Sequence, residues 1–169
     1  PEDPVVAVDT LVTFSAPFSD PAGAADEPYS CNFDWDGDGT VDETIETTYG
    51  TCNGSHAYGG AGLYTVRLTV TDKDGADSNE SIFEFVVVYD PSAGFVTGGG
   101  WIMSPAGAYY ADPNLEGKAT FGFVSKYQKG ANVPTGNTEF QFKAGNLNFH
   151  STSYDWLVVA GSNYARFKG

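Results

Sequence analysis

Gly62-Leu63-Tyr64-Thr65-Val66-Arg67-Leu68-Thr69-Val70-Thr71-Asp72-Lys73-Asp74-Gly75 alternates, from Tyr64 to Thr71, between large apolar side chains and Thr or Arg. Successive side chains of a strand point to opposite faces, so Tyr64, Val66, Leu68 and Val70 predict one inward face. The Asp-Lys-Asp-Gly run supplies a turn, and residues 82–89 return as a nearly continuous apolar strand. Working back towards the N-terminus, residues 1–4 read as a linker, and residues 5–8 and 11–14 read as two short strands parted by Asp9-Thr10. Residues 19–28 are rich in turn formers and predict a loop. Residues 29–35 predict a strand, and residues 41–49 a Thr-rich strand at a sheet edge. About seven short strands in this half describe a β-sandwich. No stretch reads as a long amphipathic helix, so the chain as a whole is expected to be all-β.

The loop that follows the third strand is Asp34-Trp35-Asp36-Gly37-Asp38-Gly39-Thr40-Val41-Asp42. Carboxylates at loop positions 1, 3, 5 and 9 would be Asp34, Asp36, Asp38 and Asp42, with Gly39 at the sharp sixth position and the Thr40 carbonyl at the seventh. Without a cation these charges repel one another; with Ca2+ they become ligands. Ile45 stands where an EF-hand has its bidentate Glu, so a distant residue or water must complete the shell. A solvated acidic turn is the plainer alternative. A weaker second set is Asp72, Asp74 and Asp77 around Gly75, with help from Asp20 or Asp26; a simple hairpin turn accounts for it equally well.

The chain of 169 residues has a formal net charge of −14, unevenly spread. Residues 1–90 hold 18 Asp/Glu and 2 Lys/Arg, a net −16, whereas residues 91–169 hold 4 and 6, a net +2. That asymmetry predicts two domains, 1–90 and 91–169, joined at Asp90-Pro91-Ser92-Ala93-Gly94. It also argues against nucleic acid as a partner, because phosphates are repelled by the first half. No apolar run is long enough to span a membrane. Beginning at Pro1, the chain reads as a processed or excised segment. Cys31 and Cys52 would close a loop of about 20 residues as a disulfide, contributing roughly 3 kcal/mol. A buried free pair and a two-Cys metal site are the alternatives. A disulfide implies an extracellular setting, where millimolar calcium suits an incompletely liganded loop.

Phe33-Asp34-Trp35 with Gly37-Asp38-Gly39, His56-Ala57-Tyr58, Gly62-Leu63-Tyr64-Thr65-Val66 and Leu68-Thr69-Val70-Thr71-Asp72-Lys73-Asp74-Gly75 together resemble a PKD (polycystic kidney disease) domain over about residues 5–89. The family's W-D-F-G-D-G signature is altered here. Phe33 replaces the Trp, and an additional residue turns the segment into D-x-D-G-D-G-x-x-D, a cation loop grafted onto the usual turn. The resemblance implies an Ig-like sandwich, extracellular placement and a non-catalytic spacer or binding role. It makes Tyr64 a tyrosine whose hydroxyl ties down a corner, and His56 a structural residue.

In the second half, Phe121/Phe123, Phe140/Phe142 and Leu147/Phe149 alternate with smaller or polar residues, and residues 154–160 and 164–167 are further strands. A second β-sandwich or a jelly-roll-like domain is expected. Gly98-Gly99-Gly100 between apolar residues predicts a bulge or a close backbone approach, and lacks the context of a phosphate loop. Gly98-Gly99-Gly100-Trp101-Ile102, Gly117-Lys118-Ala119-Thr120-Phe121-Gly122-Phe123 and Leu147-Asn148-Phe149-His150 resemble an uncharacterised β-rich module found behind PKD domains in secreted prokaryotic proteins. That module usually continues for several more strands. A sheet stopping at Gly169 is therefore expected to expose an edge, which a neighbouring copy would cover by strand addition.

Three classes of function follow. Catalysis is not expected: His56 and His150 fall in different domains, and Glu139 with Asp155, the one candidate carboxylate pair, reads better as surface charge. An extracellular structural or adhesion module, stiffened by calcium and self-associating head-to-tail or by strand addition, is the leading expectation. The alternative is an accessory module of a secreted hydrolase that binds a glycan surface through Trp101, Trp156, Tyr109, Tyr110 and Tyr154, with core packing as the competing use of those rings. Asn53 and Asn79 begin sequons.

Overall fold

A computed structural model describes residues 4–161 and 163–169. The chain is all-β and divides into two compact units between Tyr89 and Asp90.

The first unit has seven strands: β1 (Val5–Ala7), β2 (Leu11–Pro17), β3 (Tyr29–Asp34), β4 (Glu43–Thr47), β5 (Thr51–Ala57), β6 (Gly62–Thr71) and β7 (Ser81–Tyr89). Five form one sheet in the order β1-β7-β6-β3-β4, and β2 pairs with β5 in a second. Alternation decides the packing. Val12 and Phe14 of β2, Tyr29, Cys31 and Phe33 of β3, and Val66, Leu68 and Val70 of β6 are buried in one cluster between the sheets. The neighbouring side chains on β2, Leu11, Thr13 and Ser15, face solvent. Cys31 and Cys52 are joined, Cα atoms 5.8 Å apart, so the disulfide ties β3 of the large sheet to β5 of the small one. Phe33 stacks on Trp35 at 4.5 Å between centroids and 3° between planes, a contact contributing about 1 kcal/mol beyond simple burial.

Strand β7 carries an extra residue. Partners shift from Tyr64–Val86 to Val66–Phe83, and Phe85 takes φ 67° within this bulge. The bulge lets Val86 and Val88 keep facing the core while Phe85 turns outward. The edge position expected for residues 41–49 is found, with the strand beginning at Glu43. Strand β5 was not expected from the sequence. Its Thr-Cys-Asn-Gly-Ser-His-Ala run lacks large apolar residues because the space belongs to rings from across the sandwich: a Cβ on Gly54 would lie 2.7 Å from the Phe33 ring.

The second unit is a four-stranded antiparallel meander, β8 (Phe95–Ser104), β9 (Gly117–Lys126), β10 (Thr135–Phe142) and β11 (Leu147–His150), plus a hairpin of β12 (Trp156–Ala160) and β13 (Tyr164–Lys168). Register places Phe149, Phe140, Phe121 and Gly100 in one row across the meander, so its apolar face is continuous. The hairpin lies on part of that face: Phe167 meets Phe123 and Tyr154, each at 5.4 Å, and the Leu157 N–H donates to the Tyr127 hydroxyl. The second unit is thus a further β domain built of two sheets. At the triple glycine the expected bulge is absent, since β8 pairs with β9 residue for residue. The close backbone approach, the other expectation, is met at Gly99, where a Cβ would lie 3.1 Å from the Phe121 carbonyl oxygen, while Gly98 and Gly100 make room for neighbouring rings. A Cβ on Gly98 would lie 2.7 Å from the Phe123 ring, and one on Gly100 3.2 Å from that of Phe121.

Candidate metal centre

The acidic loop leaves β3 at Asp34 and enters β4 at Glu43. Asp34 is only 5% exposed, and its carboxylate accepts from the Gly37 N–H at 2.6 Å and the Gly39 N–H at 2.9 Å. Gly37 and Gly39 take φ 77° and 91°, which wraps their amides round that carboxylate. Gly37 has a second constraint, because a Cβ there would sit 2.9 Å from the Thr65 carbonyl oxygen. Asp42 reaches back to accept from the Trp35 N–H at 2.7 Å. Carboxylate oxygens of Asp34, Asp36 and Asp42 all lie within 4.8 Å of one another.

Asp38 stands outside this group, its Oδ1 accepting from the Thr40 N–H at 2.7 Å. Ile45, at the twelfth position, pairs with Cys31 in the sheet and packs against the core. It supplies no ligand. Three carboxylates therefore converge, an all-oxygen donor set of the kind suited to a hard cation.

The loop is held from below. Trp35 is buried, its indole N–H donates to Glu43 at 3.1 Å, and its carbonyl accepts from the Tyr58 hydroxyl at 2.7 Å. Burial first, then Tyr64 and the carboxylates Asp36, Asp42 and Asp34, push the Tyr58 phenol well above its ordinary pKa. Tyr64 is raised by burial and by Asp36, and its hydroxyl donates to the Gly60 carbonyl, closing the corner. His56 lies flat on Trp35 and edge-on to Tyr58, so its role here is packing.

A second acidic group draws on distant parts of the chain. Asp20 and Asp26, from the connection between β2 and β3, meet Asp72 at the end of β6. Asp74 and Asp77 do not join them: Asp74 donates its N–H to Asp72, and Asp77 accepts from the Thr71 hydroxyl. Lys73 occupies part of this neighbourhood, pairing with Asp26 at 3.2 Å and donating to the Ala25 carbonyl. Burial, then Asp20 and Asp26, push the Tyr29 phenol up to about 12.

A family model described as PKD domain matches residues 2–87. The chain belongs to the PKD domain family. PKD domains are non-catalytic Ig-like modules of extracellular proteins, and the inter-sheet disulfide is compatible with that setting. The PKD match accounts for the first unit; no curated protein and no solved structure matches the chain. Among the described residues no helix is long and apolar enough to cross a membrane.

The carboxylates weighed for catalysis find separate partners, Glu139 with His150 at 3.3 Å and Asp155 with Lys168 at 3.7 Å, all exposed. Of the rings weighed for glycan stacking, Tyr154 and Tyr109 are used in packing and Trp156 is half-buried. Tyr154 is buried and shares a hydrogen bond with Thr138, Tyr109 packs on Phe142, and Trp101 and Tyr110 are exposed.

Proposed function

We propose that the PKD unit is a calcium-stiffened module of an extracellular structural or adhesive protein, and that chains bearing it self-associate. The observation that carries the calcium reading is the convergence of Asp34, Asp36 and Asp42 within 4.8 Å. Backbone amides already orient Asp34, and Trp35 orients Asp42, so a cation would find its ligands largely in place. Ca2+ would offset the repulsion among three carboxylates and tie the start of the loop to its end. We read Asp20, Asp26 and Asp72 as a weaker second site, because Lys73 competes for it with its own positive charge.

The β-rich second unit belongs, on this reading, to the kind of module that follows PKD domains in secreted proteins. Its near-neutral charge makes it the natural point of contact between copies, since two first halves at −16 each repel. A glycan-surface role is the second reading, and the use of Tyr154 and Tyr109 in packing weakens it.

Titration calorimetry with CaCl2, thermal melts with and without EDTA, and light scattering under both conditions test the proposal. The expected outcome is a dissociation constant on the order of 10⁻⁴–10⁻³ M, as for extracellular calcium modules. A melting point several degrees higher with the ion is also expected. No heat of binding together with an unchanged melting point would reject calcium; a monomer at all concentrations would reject self-association.

A further inference from the structure

Edge strands invite pairing, and proteins blunt them with charge, proline or brevity. In this molecule β1 and β11 are three and four residues long, β4 carries Glu43 and Glu46, β13 carries Arg166 and Lys168, and β2 closes on Pro17. Strand β5 presents small polar side chains, and β12 buries Leu157 and Val158. Strand β8 has none of these protections. It is ten residues long, sits at the end of its sheet, and contains no charge and no proline. Phe95, Trp101, Ile102 and Met103 on it are exposed by 64, 58, 50 and 61%.

The order of residues along β8 says what fits there. About Gly99 the strand is close to a palindrome: Gly98 with Gly100, Thr97 with Trp101, Val96 with Ile102, Phe95 with Met103. We infer that the free edge of β8 pairs antiparallel with β8 of a second copy, about a two-fold axis through Gly99. A two-fold contact requires one surface to complement itself, and a palindromic strand does so. In this register each residue meets a partner of the same parity. Outward-directed backbone groups then face outward-directed ones, and each face of the sheet continues across the junction. Val96 lies against Ile102 of the mate on the face that carries Phe121, and Phe95 lies against Met103 on the other. The glycines at the centre let the two backbones approach without side chains between them. Residues 91–169 carry only +2, so bringing two such halves together meets little electrostatic resistance.

This inference rests on the self-association reading and names its contact, and the test separates the two. The full chain, with its disulfide intact, is followed by sedimentation velocity up to a few hundred micromolar, in calcium and in EDTA. Thr97 and Trp101 of the mate are directly opposed, so the double variant Thr97→Lys/Trp101→Lys places like charges across the junction twice. It is expected to raise the dissociation constant at least about tenfold. Thr97→Lys/Trp101→Glu, which pairs opposite charges in the same register, is expected to restore association. Circular dichroism and melting points checked on both variants separate lost pairing from lost folding. A mixture of Thr97→Cys and Trp101→Cys chains should form an intermolecular disulfide on oxidation, while Thr97→Cys alone should not. Assembly that survives Thr97→Lys/Trp101→Lys, or self-crosslinking of Thr97→Cys, overturns the β8 contact and leaves self-association standing. A wild-type chain that stays monomeric overturns both.

Discussion

The Tyr58 hydroxyl donates to the carbonyl of Trp35 at 2.7 Å, with both residues buried. That bond fixes the backbone between Asp34 and Asp36, two of the three carboxylates that converge, from a position 23 residues further along the chain. The hydroxyl thus joins core packing to loop geometry. Tyr58→Phe leaves the Trp35 carbonyl without its donor and is expected to cost about 1–2 kcal/mol, lowering the melting point by several degrees. Calcium affinity should fall as well, because the loop loses its anchor. Calorimetry on the variant checks both.

Spacing alone makes Asp38 a ligand equal to Asp36, whereas the fold turns Asp38 towards the Thr40 N–H. Asp36→Asn and Asp42→Asn are each expected to weaken calcium binding on the order of tenfold or more, and Asp38→Asn to change it little. Asp42→Asn should also lower stability, since Asp42 accepts from the Trp35 N–H. Parallel titrations of the three variants decide the ranking. Equal losses at Asp36 and Asp38 would show that the spacing, and not the folded geometry, describes the ligand set.

Alkaline pH should destabilise the first unit through its buried phenols. Tyr29 is pushed up to about 12, and Tyr58 is raised as well, in each case chiefly by burial. An unfolded tyrosine titrates near 10. Because the folded values lie higher, the neutral phenols' contribution to stability is whole below about pH 10. It is lost progressively as pH rises towards and through the folded values. Denaturant midpoints should therefore fall between about pH 10 and 12, and Tyr29→Phe should fall less steeply than the wild type.

Gly54 faces the ring of Phe33, and a methyl group there has no room. Gly54→Ala is expected to cost about 1–3 kcal/mol by overpacking. Gly59→Ala, whose nearest neighbour would be Asp9 at 3.7 Å, should be close to neutral. Urea unfolding of the two variants makes the comparison.

Replacing both Cys31 and Cys52 by Ala removes the link between the sheets. The sequence separation is 21 residues, so a loss of roughly 3 kcal/mol is expected from the unfolded chain's regained freedom. Filling both sites with smaller side chains adds a packing penalty. A melting point unchanged by reduction of the wild-type chain would contradict this.

Much of the fold was legible locally, and the exceptions share a cause. The β6 alternation, the turn at residues 72–75 and the paired phenylalanines of β9 and β10 each declare a strand from within their own few residues. Strand β5 does not. Its inward positions, Cys52, Gly54 and His56, are small or polar because Phe33 and Trp35 fill the space from the opposite side. Cys52, as the partner for Cys31, was the one hint. The triple glycine predicts a bulge that is absent for the same reason: the rings that occupy the space of Gly98 and Gly100 belong to β9.

The amino-acid order alone determined that the chain is β-structured, that its negative charge gathers in one half, and that Asp34, Asp36, Asp38 and Asp42 share one short loop. Period-two burial, net charge and turn residues all act over short spans of chain. Tertiary structure decided that Asp38 turns away, that Asp20 and Asp26 meet Asp72 in place of Asp74 and Asp77, and that Tyr58 anchors the loop. Those outcomes depend on which strands lie side by side, because a carboxylate's neighbours across a sheet are set by register, and register is a property of the assembled sandwich.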